Sequence, residues 1–239
     1  MEKIDVLPLD VFAGGVPAGV IYMDDSKELR ELVSKSTKAE GWLNTIAEVS
    51  FIGLIAYFEA FCKNHFASLL NICPSLIWRL KKAGHNVNIE ATSFLNFREN
   101  TQYKLGFLIS ERYDFGTPQK INTLYQAILK VNPFSKDEEK RYARILNDRN
   151  LLVHHGGIFT TRYSEQNFTE KSIGELAHWS SLIIGKKDFL AVAEFLEKIV
   201  RKTATATQKA LIDFVKSESI ELTKGQKEAL EVLLFDHSR

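Results

Sequence analysis

The 239-residue chain has little cysteine, almost no net charge and no long uninterrupted apolar run. Its two cysteines, Cys62 and Cys73, form no CxxC pair, and the chain has no pair of histidines at zinc-ligand spacing. This argues against a structural zinc site and against a disulfide framework. The formal net charge of +1 argues against a surface that is broadly wrapped in nucleic acid, because such proteins usually carry a basic excess. Any contact with nucleic acid is therefore expected to be local.

The most apolar segment is too short to predict a membrane span. Residues 51–58 are apolar throughout, but Glu48, Glu59 and Lys63 close the segment off, and a spanning helix needs about 20 apolar residues. We therefore expect this segment to form the central helix of a soluble bundle, with no membrane contact. The first ten residues carry acidic side chains and no long apolar core, so we expect no secretory signal and a reducing cytoplasm as the compartment.

The spacing of apolar residues predicts an all-α protein, a helical bundle that forms one domain over residues 1–239 with its core at about 40–220. Residues 1–23 mix turn signals with β-formers and are expected to be extended, and Asp24 to Ser26 are expected to cap a short helix through about residue 38. Residues 158–185 are expected to form an irregular excursion or a small hairpin. The remaining helices are expected at about 41–70, 75–83, 101–112, 118–131, 135–155, 188–215 and 223–235.

The helix expected at 135–155 carries an arginine on the face that should be apolar. Ser135 and Glu138 form a capping box at its start, and Gly156-Gly157 marks its end. Arg149 comes one heptad after Tyr142, near the centre of a stripe that this spacing predicts to be buried. A guanidinium cannot lose its proton to escape burial, so it needs partners or a wet cleft. The other members of the stripe are Ile145, Leu146, Leu152 and Val153.

Asn150 and His154 accompany this arginine and complete a candidate reactive site. They are four residues apart and share a helix face, whereas Arg149 and His154 are offset by about 140°. The arginine and the histidine converge only if the arginine swings its long side chain or if a second copy of the helix supplies the complement. The geometry therefore favours a site between two helices, and hence a homodimer. The alternative is structural: Arg149 in an ion pair, and His154 and His155 as cations at a helix C-terminus.

The string Arg149-Asn150-x-x-x-His154 resembles the signature of the HEPN superfamily (higher eukaryotes and prokaryotes nucleotide-binding domains). The resemblance implies an all-α bundle, a homodimer that brings two motifs into one cleft and, in active members, metal-independent endoribonuclease chemistry. Toxin and antiviral-defence roles follow from the resemblance alone. The resemblance implies that Arg149 binds phosphate, that His154 transfers protons and that Asn150 positions the scissile group. It implies no cofactor and no metal. Glu59, as a partner for Arg149, is a supporting candidate.

His155 and Arg144 are further supporting candidates, as a second imidazole and as a cation flanking an RNA groove. The expected reaction is attack by the RNA 2′-hydroxyl, which leaves a 2′,3′-cyclic phosphate and a 5′-hydroxyl. Two other functions stay open: a catalytically silent HEPN module that binds RNA or a nucleotide or acts as an adaptor, and a helical interaction protein in which the motif is structural. A cognate antitoxin or inhibitor is a further expected partner. A subgroup of HEPN toxins carries a modifiable tyrosine two residues after the histidine, where this chain has Gly156, so that mode of control is not expected.

Overall fold

The computed structural model describes residues 7–38, 43–90, 92, 103–168 and 180–234. Within these residues the regular structure is helical and no β-strand forms, as the periodicity predicted. Two short 3₁₀ turns, Pro8–Val11 and Ala13–Gly15, precede the α-helices. The α-helices are α1 Ala18–Ser34, α2 Thr45–Ile72, α3 Leu76–Lys82, α4 Leu105–Ser110, α5 Pro118–Leu129, α6 Lys136–His155, α7 Thr161–Asn167, α8 Lys186–Ser217 and α9 Lys224–Val232.

The chain forms two compact units, each built from separate segments: Met1–Asp24, Phe58–Ser135 and Lys198–Arg239 in the first, Asp25–Tyr57 and Lys136–Glu197 in the second. Three helices, α1, α2 and α8, contribute residues to both units. The single-domain interpretation of residues 1–239 stays a prediction.

The first unit has an aromatic core around the second half of α2. Phe58 and Phe61 are buried there, and both rings contact the ring of Tyr22 from α1. Phe134 meets Phe58 edge-on, with ring centroids 6.0 Å apart. Local signals fix the ends of the helices around this core: Thr117 caps α5 with Pro118 in its first turn, and Thr223 begins α9 with a capping box. Both helix starts were predicted from the sequence.

Polar contacts between helices hold the second unit together. Arg30 of α1 donates two hydrogen bonds to the Glu197 carboxylate of α8, at 2.8 and 2.9 Å, and Ser26 donates a third. Arg141 of α6 donates to the Ala191 carbonyl, and its guanidinium lies 4.3 Å from the ring centroid of Phe195. These contacts tie α1 and α6 to the first half of α8, and α6 carries the motif.

By length and composition alone, α2 is the one helix of the described residues that could cross a membrane. Of its most apolar 18-residue window, 44% is buried within the protein. The sequence-based argument considered only the uninterrupted run 51–58 and therefore missed that the whole helix passes this test. A core helix of a soluble protein passes it too, so this is weak evidence for a span. The fold is compatible with a soluble protein.

The prediction of an extended N-terminal segment is wrong from Ala18 onward. Helix α1 begins at Ala18, and Tyr22 is buried one turn later in the aromatic core of the first unit. Burial on one helical face outweighs the β-propensity of the valine and isoleucine between them. Asp24, Asp25 and Ser26 therefore lie inside α1 rather than capping a later helix. Residues 1–6 lie outside the described part of the chain.

Residues 158–185 combine the expected pairing with an unexpected helix. Ile158 forms an isolated antiparallel bridge with Ser181, which is the kind of pairing that a small hairpin would make. The residues after Ile158 do not continue a hairpin, because Thr161–Asn167 is helix α7, capped by the Thr160 hydroxyl. Residues 169–179 lie outside the described part of the chain.

Candidate functional site

A glycine turn at the end of α6 folds the chain back against that helix. Gly156 and Gly157 have φ angles of 59° and 82°, and their amides donate to the carbonyls of Leu152 and Leu151. The turn is the left-handed helix end that the sequence predicted. The carbonyl of Gly157 then accepts from the Leu182 amide at 2.8 Å, and a Cβ at Gly157 would come within 3.1 Å of the Leu182 oxygen. Glycine is therefore required both by conformation and by space.

A hydrogen bond between Tyr163 and Asp148 fixes α7 against α6. The Tyr163 hydroxyl donates to the Asp148 carboxylate, and its ring is buried and stacks on Phe159 with centroids 5.3 Å apart. Burial raises the pKa of Asp148, and the tyrosine hydrogen bond opposes that rise. Burial and the neighbouring carboxylate also raise the pKa of Tyr163. Helix α7 therefore partly covers Asp148 on α6.

The two helices enclose a small open pocket of about 260 Å³ in the second unit. Asn150 and His154 both line it, so the pair predicted to share a helix face does meet in one cavity. Both side chains are exposed, as is His155, which lines the pocket beside them. The lining residues from the turn and from α7 are Thr160, Arg162, Tyr163 and Gln166.

Arg149 does not line this pocket. Its Nη1 donates to Asn150 Oδ1 at 3.1 Å, and its Nε is buried without a hydrogen-bond partner among the described residues. The expected position of Arg149 at the centre of a buried stripe is wrong: Val153 is 44% exposed, and Leu151 is buried instead. Arg149 therefore lies at the edge of the apolar face, half-buried, where its guanidinium reaches the neighbouring amide.

Arg144 acts on the Asp148 and Tyr163 pair through its charge. It is exposed on α6 and lowers the pKa values of Asp148 and Tyr163 through its charge, although burial outweighs that effect at both groups. Glu59 belongs to the first unit, where it is half-exposed on α2 and its charge raises the pKa of Cys62. Its pairing with Arg149 stays a prediction.

The pocket offers imidazole, amide and guanidinium groups to a ligand. Imidazole carries protons near neutral pH, and a guanidinium binds phosphate oxygens with two parallel hydrogen bonds. The arrangement can therefore bind a phosphate group and move a proton beside it. In the part of the chain that the structure describes, no group of three or more histidine, cysteine, aspartate or glutamate side chains could hold a metal ion.

Sequence reasoning missed Arg162, Thr160 and Gln166. One local signal was present: Thr160 precedes a run that can form a helix, and threonine is a strong N-cap. The β-propensity of 158–163 hid that signal. No protein-family model, curated protein or solved structure matches this chain.

Proposed function

We propose that the protein is a metal-independent endoribonuclease of the HEPN type that acts as a homodimer. The observation that carries the proposal is the shared pocket of His154 and Asn150, with Arg162 on its opposite wall. These are the groups that phosphodiester cleavage by an internal nucleophile needs: a proton carrier, a polar positioning group and a cation for the phosphate. The chain's single unit of net positive charge fits a local contact with RNA.

In the proposed reaction, the RNA 2′-oxygen attacks the adjacent phosphorus and the bond from phosphorus to the 5′-oxygen breaks. The 2′-hydroxyl gives its proton to a water molecule, and the departing 5′-oxygen gains one from His154. Arg162 neutralises the charge that develops on the phosphate, and Asn150 orients it. The products carry a 2′,3′-cyclic phosphate and a 5′-hydroxyl.

Arg149 enters this proposal from the second protomer. Within one chain its guanidinium is held beside Asn150 and away from the pocket lining. In a dimer that pairs the two α6 helices, each Arg149 would face the other chain's His154. A cytoplasmic toxin or antiviral-defence role, with a cognate inhibitor protein, is the biological setting that the family resemblance gives to such an enzyme.

The first experiment incubates purified protein with end-labelled RNA in EDTA, beside His154→Ala. His85→Ala is the matched control, since His85 does not line the pocket. Cleavage should survive EDTA and the control substitution, vanish in His154→Ala and leave cyclic phosphate ends. Ends carrying a 5′-phosphate, or equal cleavage by His154→Ala, would overturn the proposal.

A mixing experiment tests the contribution of Arg149 across the dimer. Arg149→Ala and His154→Ala are each expected to be inactive alone. The two variants are then mixed and allowed to exchange subunits. If the arginine and the histidine of a site come from different chains, each heterodimer has one complete site of two. Random exchange makes half of the dimers heterodimers, so about a quarter of the wild-type activity should return. No recovery after verified exchange would place both groups in one chain's site.

One observation favours a second function, a catalytically silent module that binds RNA or a nucleotide. Arg149 donates to Asn150 rather than to the pocket, so the motif of a single chain is incomplete. A silent module would bind RNA with an affinity that falls in Arg162→Ala, and would leave that RNA intact at every protein concentration. Turnover by the wild-type protein decides against it.

A further inference from the structure

A second binding groove lies in the first unit, lined by residues of α3, α5 and α8. Its volume is about 1240 Å³, much larger than the pocket beside His154. Trp78 of α3 lines it and is 71% exposed, whereas Leu76 and Leu80 of the same helix are buried. Burial of a tryptophan ring is favourable, and the fold leaves most of this ring in water. The ring is therefore available to a ligand.

Cations without acidic partners stand around Trp78. Arg79, Lys82 and Lys130 line the groove, and Lys81 lies beside it with its Nζ 5.4 Å from the tryptophan ring centroid. Among the described residues, none of these four side chains forms an ion pair. Elsewhere the fold does pair its cations, as Arg30 shows with its bidentate bond to a glutamate. Within the described part of the chain, the positive charge of the groove is therefore not neutralised by ion pairs.

The opposite wall carries two carboxylates and an aromatic ring. Asp213 of α8 and Glu218, which follows the last residue of α8, line the groove, and within the described residues neither of them forms an ion pair with the cations across it. Phe214 lies between them in sequence, and the Arg79 guanidinium sits 5.0 Å from its ring centroid. A guanidinium in such a contact keeps its five N–H donors, which can bind a ligand in the groove.

Lys130 has a backbone conformation that a glycine would adopt more easily. It ends α5 with φ 57° and ψ 31°, in the left-handed region, and its amide donates to the Gln126 carbonyl. Most helix ends of this geometry carry glycine, because a side chain there is strained. The helix dipole accounts for cations at the end of α3, but it does not account for a strained lysine on α5 or for the exposed tryptophan.

We propose that this groove binds single-stranded RNA, with a base stacked on Trp78 and the backbone phosphates on Arg79, Lys82 and Lys130. Aromatic rings that alternate with unpaired cations are the recognition surface that single strands use, since every base has a face to stack and every linkage a charge. An acidic peptide would satisfy the cations but offer nothing to stack on the tryptophan. RNA as the ligand rests on the proposed function, and the groove would give that RNA a contact in addition to the one beside His154.

The test measures binding of a fluorescent single-stranded RNA that carries 2′-O-methyl groups and so cannot be cleaved. Fluorescence anisotropy is compared for the wild type, Trp78→Phe and Trp78→Ala, with poly-glutamate as the competitor. Trp78→Ala should weaken binding by about 5- to 150-fold, the range expected for loss of one stacked base, and Trp78→Phe should weaken it less. Binding of equal strength in Trp78→Ala, or equal competition by poly-glutamate, would overturn the proposal.

The salt dependence of RNA affinity tests the groove further, with a lysine outside the groove as the control. Lys82→Ala and Lys130→Gly should each lower the slope of log affinity against log salt by about 0.7, the value for one phosphate contact on a single strand. Lys130→Gly should also raise the melting temperature, so weaker binding cannot be ascribed to unfolding. Lys209→Ala is the control, an exposed lysine of α8 outside the groove lining. An equal loss of slope in the control would assign the binding to net charge and refute the groove.

His154→Ala separates this inference from the proposed function. The variant should cleave no RNA, and Trp78→Ala introduced into it should weaken binding of the modified RNA by about the same factor as it does in the wild type. If the groove variants bind normally and His154→Ala loses cleavage, the groove is refuted and the ribonuclease stands. If Trp78→Ala loses binding and the wild type cleaves no RNA, the groove stands and the ribonuclease falls.

Discussion

A fully buried histidine should make the stability of this protein fall steeply in mild acid. His65 is 1% exposed in the first unit, where its ring stacks between Phe61 and Tyr125 with centroids 5.3 and 6.2 Å away. Its Nε2 lies 2.8 Å from the hydroxyl of Thr207, which donates its own hydrogen to the Thr203 carbonyl. The site therefore suits a neutral ring that donates from Nε2 and offers no anion to an imidazolium.

Burial lowers the pKa of His65 from 6.5 to about 3. The nearest titratable neighbours do not help, because burial also raises the pKa values of Cys62 and Tyr125 and keeps both groups neutral. Since the folded-state pKa lies below the unfolded one, the unfolded chain takes up the proton first. The contribution of His65 to stability is complete above pH 6.5 and is lost as the pH falls toward 3. At pH 5 the loss is about 2 kcal/mol, a figure that barely changes for any folded pKa below 4.

The assay is urea unfolding followed by circular dichroism, at pH 8 and at pH 5, for the wild type and for His65→Phe. Phenylalanine keeps the stacked ring and removes the titrating group, and the Thr207 hydroxyl keeps its carbonyl acceptor. The free energy of unfolding should fall by about 2 kcal/mol more in the wild type than in the variant over this pH range. All other histidines are common to both proteins and cancel. Equal losses in the two proteins would refute the argument that His65 is buried in its neutral form.

Three further predictions concern packing and the pocket. Gly106→Ala should lower the free energy of unfolding by more than about 3 kcal/mol or prevent folding, because a Cβ there would lie 2.1 Å from a backbone oxygen of α2. Gly53→Ala is the control and should raise the free energy of unfolding by up to about 1 kcal/mol. Urea unfolding measures both changes. Tyr163→Phe should cost about 1–3 kcal/mol in the same assay, because it removes the hydroxyl donor from the half-buried Asp148 carboxylate. Arg162→Ala should lower ribonuclease kcat by about 100-fold or more with little change in melting temperature, and a kcat within twofold of wild type would refute its contact with phosphate.

The helices were predictable where their signals are local. The start of α6 follows Ser135 directly and its end carries two left-handed glycines, as the capping box and the Gly156-Gly157 pair indicated. The first turns of α1 were missed because the burial of Tyr22 depends on residues far along the chain. Intrinsic preference decides an element only when tertiary contacts do not oppose it.

The site was predictable only in part, for the same reason. The spacing of Asn150 and His154 puts them on one face of one helix, and the structure brings both to one pocket. The opposite wall, formed by α7, depends on the path of the chain after the glycine turn. Helical periodicity does not predict that path. Arg162 reaches the pocket through that return, and the Tyr163 hydroxyl that holds α7 in place finds its partner on α6. A motif thus predicts one wall of a site, and tertiary structure supplies the other.

The buried Nε of Arg149 gives an independent reason to expect a second chain at this motif. A buried donor without an acceptor costs about 1–3 kcal/mol, and this one finds no acceptor among the described residues. An acceptor supplied by a second protomer would recover that free energy only in the dimer. The melting temperature of the wild type should therefore rise with protein concentration, as mass action requires, and that of Arg149→Ala should rise much less. Differential scanning fluorimetry over a hundredfold range of concentration measures both, and parallel curves for the two proteins would show that Arg149 takes no part in association.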